Sequence, residues 1–223
     1  MGVWVVYVPF KTMAAYQHFG AEDFAQWERF FRAMFFNSVG GFKSANLIGT
    51  QDEQGRHNLA TFFSVVHVGA NPPYLGLLFR PQTVERHTLE NLRATRTFTV
   101  NSIQTEMLPA AHQCSAKYDR ATSEFEATGL TPVFLDPSAA PAVGESAVQI
   151  LCEPVEEQKL RTNDTLFVVG AIRAVRLRSD LLQEDGLVAL DKAATLCINS
   201  LENYYLPRHE AHLGYAQPEN KAR

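Results

Sequence analysis

Six polar side chains stand out because they interrupt apolar strands or open a helix. Asn58, Thr61 and Ser64 break the run HNLATFFS, Arg80 closes YLGLLFR, and Thr88 opens TLENLRA with Asn91 one turn later. Singly, each has a plain structural account. Asn58 and Ser64 could face solvent, Thr88 could be an ordinary helix N-cap, and Arg80 a surface charge. Together they suit a phosphorylated ligand. A guanidinium offers a phosphate two parallel hydrogen bonds, which a solvated ammonium does less well. Thr88 would add a hydroxyl beside the unpaired N–H groups and favourable dipole of a helix start. The strand Asn58, Leu59, Ala60, Thr61, Phe62 to Ser64 carries backbone N–H and C=O groups that could read the edge of a flat heterocycle. On residues alone the expectation is an anion-binding site, with the ligand's identity left open.

The elements that must position these groups follow from hydrophobic spacing. Phe24, Trp27, Phe31, Met34 and Phe35 recur at threes and fours, which predicts one amphipathic helix over 21–35 with Glu22 and Asp23 in its first turn. Packing onto the main body is the expected use of its aromatic face. Strands are expected over 44–50, 57–68, 74–79 and 97–103, with a turn at Asp52–Gly55, a break at Asn71-Pro72-Pro73 and a short helix over 88–95. A long connection from Gln104 to Pro141 holds at most short helices, and such a length inside a compact domain is usually functional or a subdomain. Two further strands are expected over 147–160 and 165–177, then a helix over about 193–205 and a fraying tail from Gly214. The fold class is therefore mainly β with peripheral helices (α+β). Some six antiparallel strands with few helices between them close best as a small barrel.

Composition removes several function classes. The 223 residues are 46% hydrophobic and 20% charged, an ordinary globular balance for one decorated domain. A net charge of -4 with scattered basic residues argues against nucleic acid. Cys114, Cys152 and Cys197 lie far apart without a C-x-x-C pair, matching neither a zinc site nor a disulfide framework. The apolar start Met1 to Phe10 lacks a basic n-region and a convincing cleavage site. Gly2 is followed by Val6 where a myristoylation signal wants Ser or Thr. No apolar stretch approaches the ~20 residues of a membrane helix, so a cytoplasmic protein without membrane contact is expected.

Missing motifs narrow the chemistry further. The chain lacks even a G-x-G, so a Rossmann site is not expected, and it has neither a P-loop nor a G-x-S-x-G elbow. His209 and His212 form H-x-x-H rather than the spacing of H-E-x-x-H proteases, and no metal site is expected. His67 could face a pocket or a sheet edge and is not taken as a catalytic base.

The pieces NLATFFSVVHVGANPPYLGLLFRP (58–81) and HTLENLRATRTFTVNSI (87–103) resemble the flavin reductase-like family, which often has an N-x-A-x-x-S strand, Pro-Pro, then D-T-x-x-N-I before F-V-V-N. SAKYDRATSEFEATGLTP (115–132), LFVVGAIRAV (166–175) and INSLENYY (198–205) extend the resemblance, the last to the flavoredoxin-like branch. His87 replaces the usual Asp before Thr, and Leu92 replaces Ile. The resemblance implies an FMN-binding split barrel over 36–218, a helical extension over 1–35 and a flexible tail at 219–223. It implies a homodimer with noncovalent FMN near the subunit interface, FAD being possible. The implied cofactor-binding residues are Asn58, Leu59, Ala60, Thr61, Phe62, Ser64, Arg80, Thr88 and Asn91, with no side chain needed as catalytic acid or base. NADH or NADPH would be the electron donor to flavin N5. The alternative is a flavoredoxin-like carrier that takes electrons from a partner protein. A barrel that holds haem or a deazaflavin, or an empty structural dimer, are weaker rivals.

Overall fold

A computed structural model describes residues 15–81, 86–137, 139–215 and 217. The apolar start Met1 to Phe10 and the tail 219–223 lie outside the described residues.

β2 (Asn46–Gln51) explains why the central strands read as apolar runs rather than clean alternation. Leu47 packs with Leu59, Ile103 and Phe125 on one side, and Ile48 with Leu77, Phe79 and Phe98 on the other. A strand covered on both faces has no polar side to show. The remaining strands of this sheet are β3 (His57–Phe62), β4 (Val65–Ala70), β5 (Pro73–Phe79), β6 (Phe98–Ser102), β9 (Val148–Lys159) and β10 (Leu166–Leu177). Short strands complete the chain: β1 (Lys43–Ser44), β7 (Pro132–Val133), β8 (Ala142–Val143), β11 (Cys197–Asn199) and β12 (Asn203–Tyr205).

The main sheet runs β3-β2-β6-β9-β10-β5-β4, antiparallel throughout. Its seven strands, against the six expected, arise because the apparent strand 57–68 is two. β3 pairs with β2 and β4 with β5, so consecutive stretches of chain occupy opposite margins of the sheet. Only Phe63 and Ser64 join them, and Leu78 N donates to Ser64 O at 3.0 Å across the join. The sheet therefore curls on itself. Register irregularities between Val169 and Gly170 and between Ile172 and Ala174 help the twelve-residue strands bend. At Gly49 a Cβ would lie 2.0 Å from the Pro141 carbonyl oxygen, so only glycine allows this approach.

α3 (His87–Thr95) buries Leu89 and Leu92 against Phe79, Phe98 and Val168. Each leucine contributes about 2 kcal/mol by leaving water. α4 (Leu108–Gln113) and α5 (Glu124–Thr128) cover the opposite face, where Phe125 and Met107 meet Leu59. Among the described residues, these short helices, a 3-10 turn (Thr105–Met107) and β7 are what the long connection holds.

Two expectations are corrected. The helix over 21–35 is two, α1 (Ala21–Gln26) and α2 (Arg29–Val39). Glu28 breaks it by turning extended and accepting from Phe30 N and Phe31 N, which caps α2. The helix over 193–205 is instead a 3-10 turn (Leu190–Ala193) followed by β11 and β12. Ser200 takes a left-handed φ of 62°, and Ile198 pairs with both Lys43 and Tyr204, so strand pairing wins over the helical spacing.

Candidate functional site

A groove of about 460 Å³ opens where β3 bends into β4, a volume suited to a small ligand. Phe62 and Phe79 form its apolar floor, their rings edge to face at 5.1 Å. Thr61 and Ser64 flank the bend, and Thr61 Oγ1 donates to Ala111 O at 2.7 Å, which fixes α4 to β3. Three cations line the same groove: Lys43, Arg80 and Arg86. Among the described residues none of them forms an ion pair with a carboxylate. Glu202 lines the groove as well and is its one acidic lining residue among the described residues.

Each cation is held differently. Arg80 follows β5 and donates from Nη2 to Asn37 Oδ1 at 2.9 Å. Lys43, in β1, donates from Nζ to Asn37 O at 2.6 Å. Partial burial, and then the Arg80 charge beside it, hold the Lys43 ammonium below its usual pKa. Arg86 is the N-cap residue of α3, and its Nε is buried with no hydrogen-bond partner among the described residues. An orphaned guanidinium nitrogen costs desolvation free energy unless something accepts from it. The three cations of this groove together fit an anionic group such as a phosphate.

The far wall carries His112, Ser115 and Ser200. His112 Nδ1 lies 3.1 Å from Tyr204 Oη. Burial, with the charges of Glu202 and Cys114, pushes the Tyr204 phenol up to about 12, so it stays protonated at neutral pH.

The structure divides the residues singled out from sequence. Thr61, Phe62, Ser64 and Arg80 meet in the groove. Asn58, Thr88 and Asn91 meet elsewhere, in a buried network: Asn58 Nδ2 donates to Thr50 Oγ1 and Thr88 Oγ1, each at 3.1 Å, and Asn91 Nδ2 donates to Thr50 Oγ1 at 3.2 Å. This network ties α3 to β2 and β3. Thr88 lies inside α3 rather than capping it. Leu59 is core, and its N–H donates to Glu124 Oε2 at 2.9 Å, so that backbone group is taken. Ala60 is half-buried in β3 opposite Ile48 and lines no groove wall. His67 is exposed on β4, at a margin of the sheet.

Lys43, Arg86 and Asn37 were missed by sequence reasoning. Arg86 had a usable signal, its place just before a helix start that the spacing predicts. Lys43 and Asn37 had none, since only the fold brings them to Arg80. A larger cavity, about 680 Å³, is lined by Glu145, Gln149, Arg176 and Arg178. Its arginines and Glu145 are already engaged: Arg176 with Gln149, Arg178 with Asp180, and Glu145 with Thr131. The smaller groove, whose three cations pair with no carboxylate among the described residues, is the better candidate.

Residues 40–206 match the flavin reductase like domain. The chain belongs to the flavin reductase-like family. It is similar to the structure of a split-barrel protein from Shewanella frigidimarina, itself a candidate flavin reductase, at 46% identity and a TM-score of 0.86, covering 90% of this chain and all of the other. Component B of nitrilotriacetate monooxygenase from Bacillus cereus shares the fold at 16% identity and a TM-score of 0.78, covering 90% and 100%. Flavoredoxin of Desulfovibrio vulgaris (Miyazaki F) does so at 21% identity and a TM-score of 0.68, covering 78% and 92%. The mainly β split-barrel class read from the sequence is thereby established, as is membership of a flavin-binding oxidoreductase family. Among the described residues no helix is long and apolar enough to cross a membrane.

Proposed function

We propose that this chain is an FMN-binding flavoprotein that takes hydride from NADH or NADPH, with the cofactor held noncovalently in the groove at the β3–β4 bend. The observation that carries the reading is a set of three cations that, among the described residues, form no ion pair with a carboxylate, in one groove with the rings of Phe62 and Phe79. Arg80, Arg86 and Lys43 would hold the phosphate, whose charge is about -1.5 to -2 at neutral pH. The backbone from Thr61 to Ser64 would hold the ring edge, and Phe62 and Phe79 would exclude water beneath it. When bound, the flavin supplies the hydride acceptance and onward electron transfer that no side chain here can. Asn58, Thr88 and Asn91 act behind this surface by fixing α3 and β3. No side chain is assigned a proton-transfer role. FAD fits the same cation set through its diphosphate.

The reading includes a homodimer, a cytoplasmic location and a split-barrel unit over 36–218. Exposed Phe30, Phe31, Phe36 and Phe42 support association, since exposed aromatic side chains gain by being covered. The test is the absorption spectrum of freshly purified protein, an FMN titration, and anaerobic mixing with NADH and with NADPH. Rapid bleaching of the bound flavin supports the reductase. Retained FMN that only dithionite reduces supports an electron carrier served by a partner protein. Colourless protein that declines micromolar FMN overturns the reading.

A further inference from the structure

Two of the three groove cations are gripped by one residue of α2. Asn37 sits in the last turn of α2, and its side-chain Nδ2 donates to Ala33 O at 2.7 Å. With that nitrogen committed, Oδ1 is the atom presented to Arg80, 2.9 Å away. The Asn37 carbonyl, one of the unpaired acceptors at a helix C-terminus, takes the Lys43 ammonium at 2.6 Å. The helix end also carries partial negative charge, which suits two cations. α2 itself is fastened to the β11–β12 turn, where Ser200 Oγ donates to Met34 O at 3.3 Å. Ser200 lines the same groove. The helix thus joins Ser200 to Arg80 and Lys43, all of which line the groove.

Two like charges at close quarters repel, and free side chains of this length would splay into solvent. Asn37 offsets the repulsion with one acceptor for each. It takes one of the five N–H donors of Arg80 and leaves the rest of the fork for a ligand. We propose that Asn37 is a positioning residue for the phosphate end of the cofactor, which makes α2 part of the flavin site. This rests on the flavin reading above and extends it to a segment that lies before residue 40, where the family match begins.

FMN and riboflavin separate this role from a general structural one, because they share the ring and differ in the phosphate. The full-length protein and its Asn37→Ala and Asn37→Asp variants are titrated with each, following flavin fluorescence, with thermal unfolding as a check on folding. Asn37→Ala is expected to weaken FMN about tenfold and leave riboflavin within about twofold. Asn37→Asp keeps an acceptor for Arg80 but sets a carboxylate against the phosphate, so FMN weakens further while riboflavin again holds. Equal losses of both ligands, or no loss of either, would overturn the role of Asn37 while leaving the flavin reading intact. Wild-type protein that takes up neither ligand overturns both.

Discussion

Replacing Asn58 with leucine tests whether the buried polar network is scaffold or ligand site. Asn58 is 8% exposed, and its Nδ2 gives hydrogen bonds of 3.1 Å to Thr50 Oγ1 and 3.1 Å to Thr88 Oγ1. Leucine fills nearly the same space but donates nothing. Thr50 keeps a donor in Asn91 at 3.2 Å, whereas the Thr88 hydroxyl loses its link to β3. Two buried hydrogen bonds at about 1 kcal/mol each give a loss of about 2 kcal/mol. For a chain of this size each kcal/mol moves Tm by about 2–4 °C, so a fall of about 4–8 °C is expected. Circular dichroism reads the melt, and an FMN titration of the folded variant reads the site. Scaffold residues lower Tm and leave FMN affinity within about twofold of wild type. An unchanged Tm with lost FMN binding would refute this reasoning and make Asn58 a direct flavin ligand.

Further outcomes follow from other parts of the molecule. Arg80→Ala, at an exposed position, should leave Tm nearly unchanged and weaken FMN by about 2 kcal/mol, or about 30-fold, in an equilibrium titration; retained affinity would remove Arg80 from the site. Burial raises the Glu124 carboxyl above its ordinary range, only partly offset by the Leu59 N–H, its own backbone N–H and the charge of His87. A raised folded-state pKa contributes stability below the unfolded value, near about 4.3, and that contribution is lost as pH rises through the folded value. Glu124→Gln keeps an acceptor for Leu59 without this loss. Its urea midpoint should therefore gain on wild type as pH rises from about 4 to neutrality, and a gap that narrows would contradict the sign. Burial pushes the Cys114 thiol up to about 11 and Cys152 up to about 12, while Cys197 is only half-buried. A thiol reagent near neutral pH should meet Cys197 first and the other two only after denaturation; early modification of Cys114 would show that its burial is not maintained.

The strands and α3 were legible because their signals are local. Tyr74 to Phe79 is a short apolar run that Pro73 and Pro81 bound, Thr97 to Ile103 is rich in β-branched residues, and Leu89 and Leu92 have helical spacing. Arg80 was legible too, as a cation ending an apolar strand. The bend at Phe63–Ser64 was not, since HNLATFFSVVHV is β-prone throughout and only the competing partners β2 and β5 divide it. Whether Asn58 and Asn91 meet a cofactor or other side chains was not legible, because a polar residue on an apolar strand or a helix looks the same in either case. Thr50, the acceptor that internalises them, sits in a separate strand with nothing to link it. The C-terminal segment misled for a related reason. Its helical spacing is real, but Lys43 and Ser44 lie some 150 residues earlier and supply the pairing that decides its state.

The two-residue link between β3 and β4 also bears on alignment. A strand displaced by one position turns all its side chains to the wrong face. With separate strands at the two margins, each could slip alone. Here the same short piece of chain serves both, so a slip at β2 would drag the pairing with β5 along with it. An error anywhere along 57–70 is penalised at both seams, which makes the correct alignment far harder to lose than either seam could by itself.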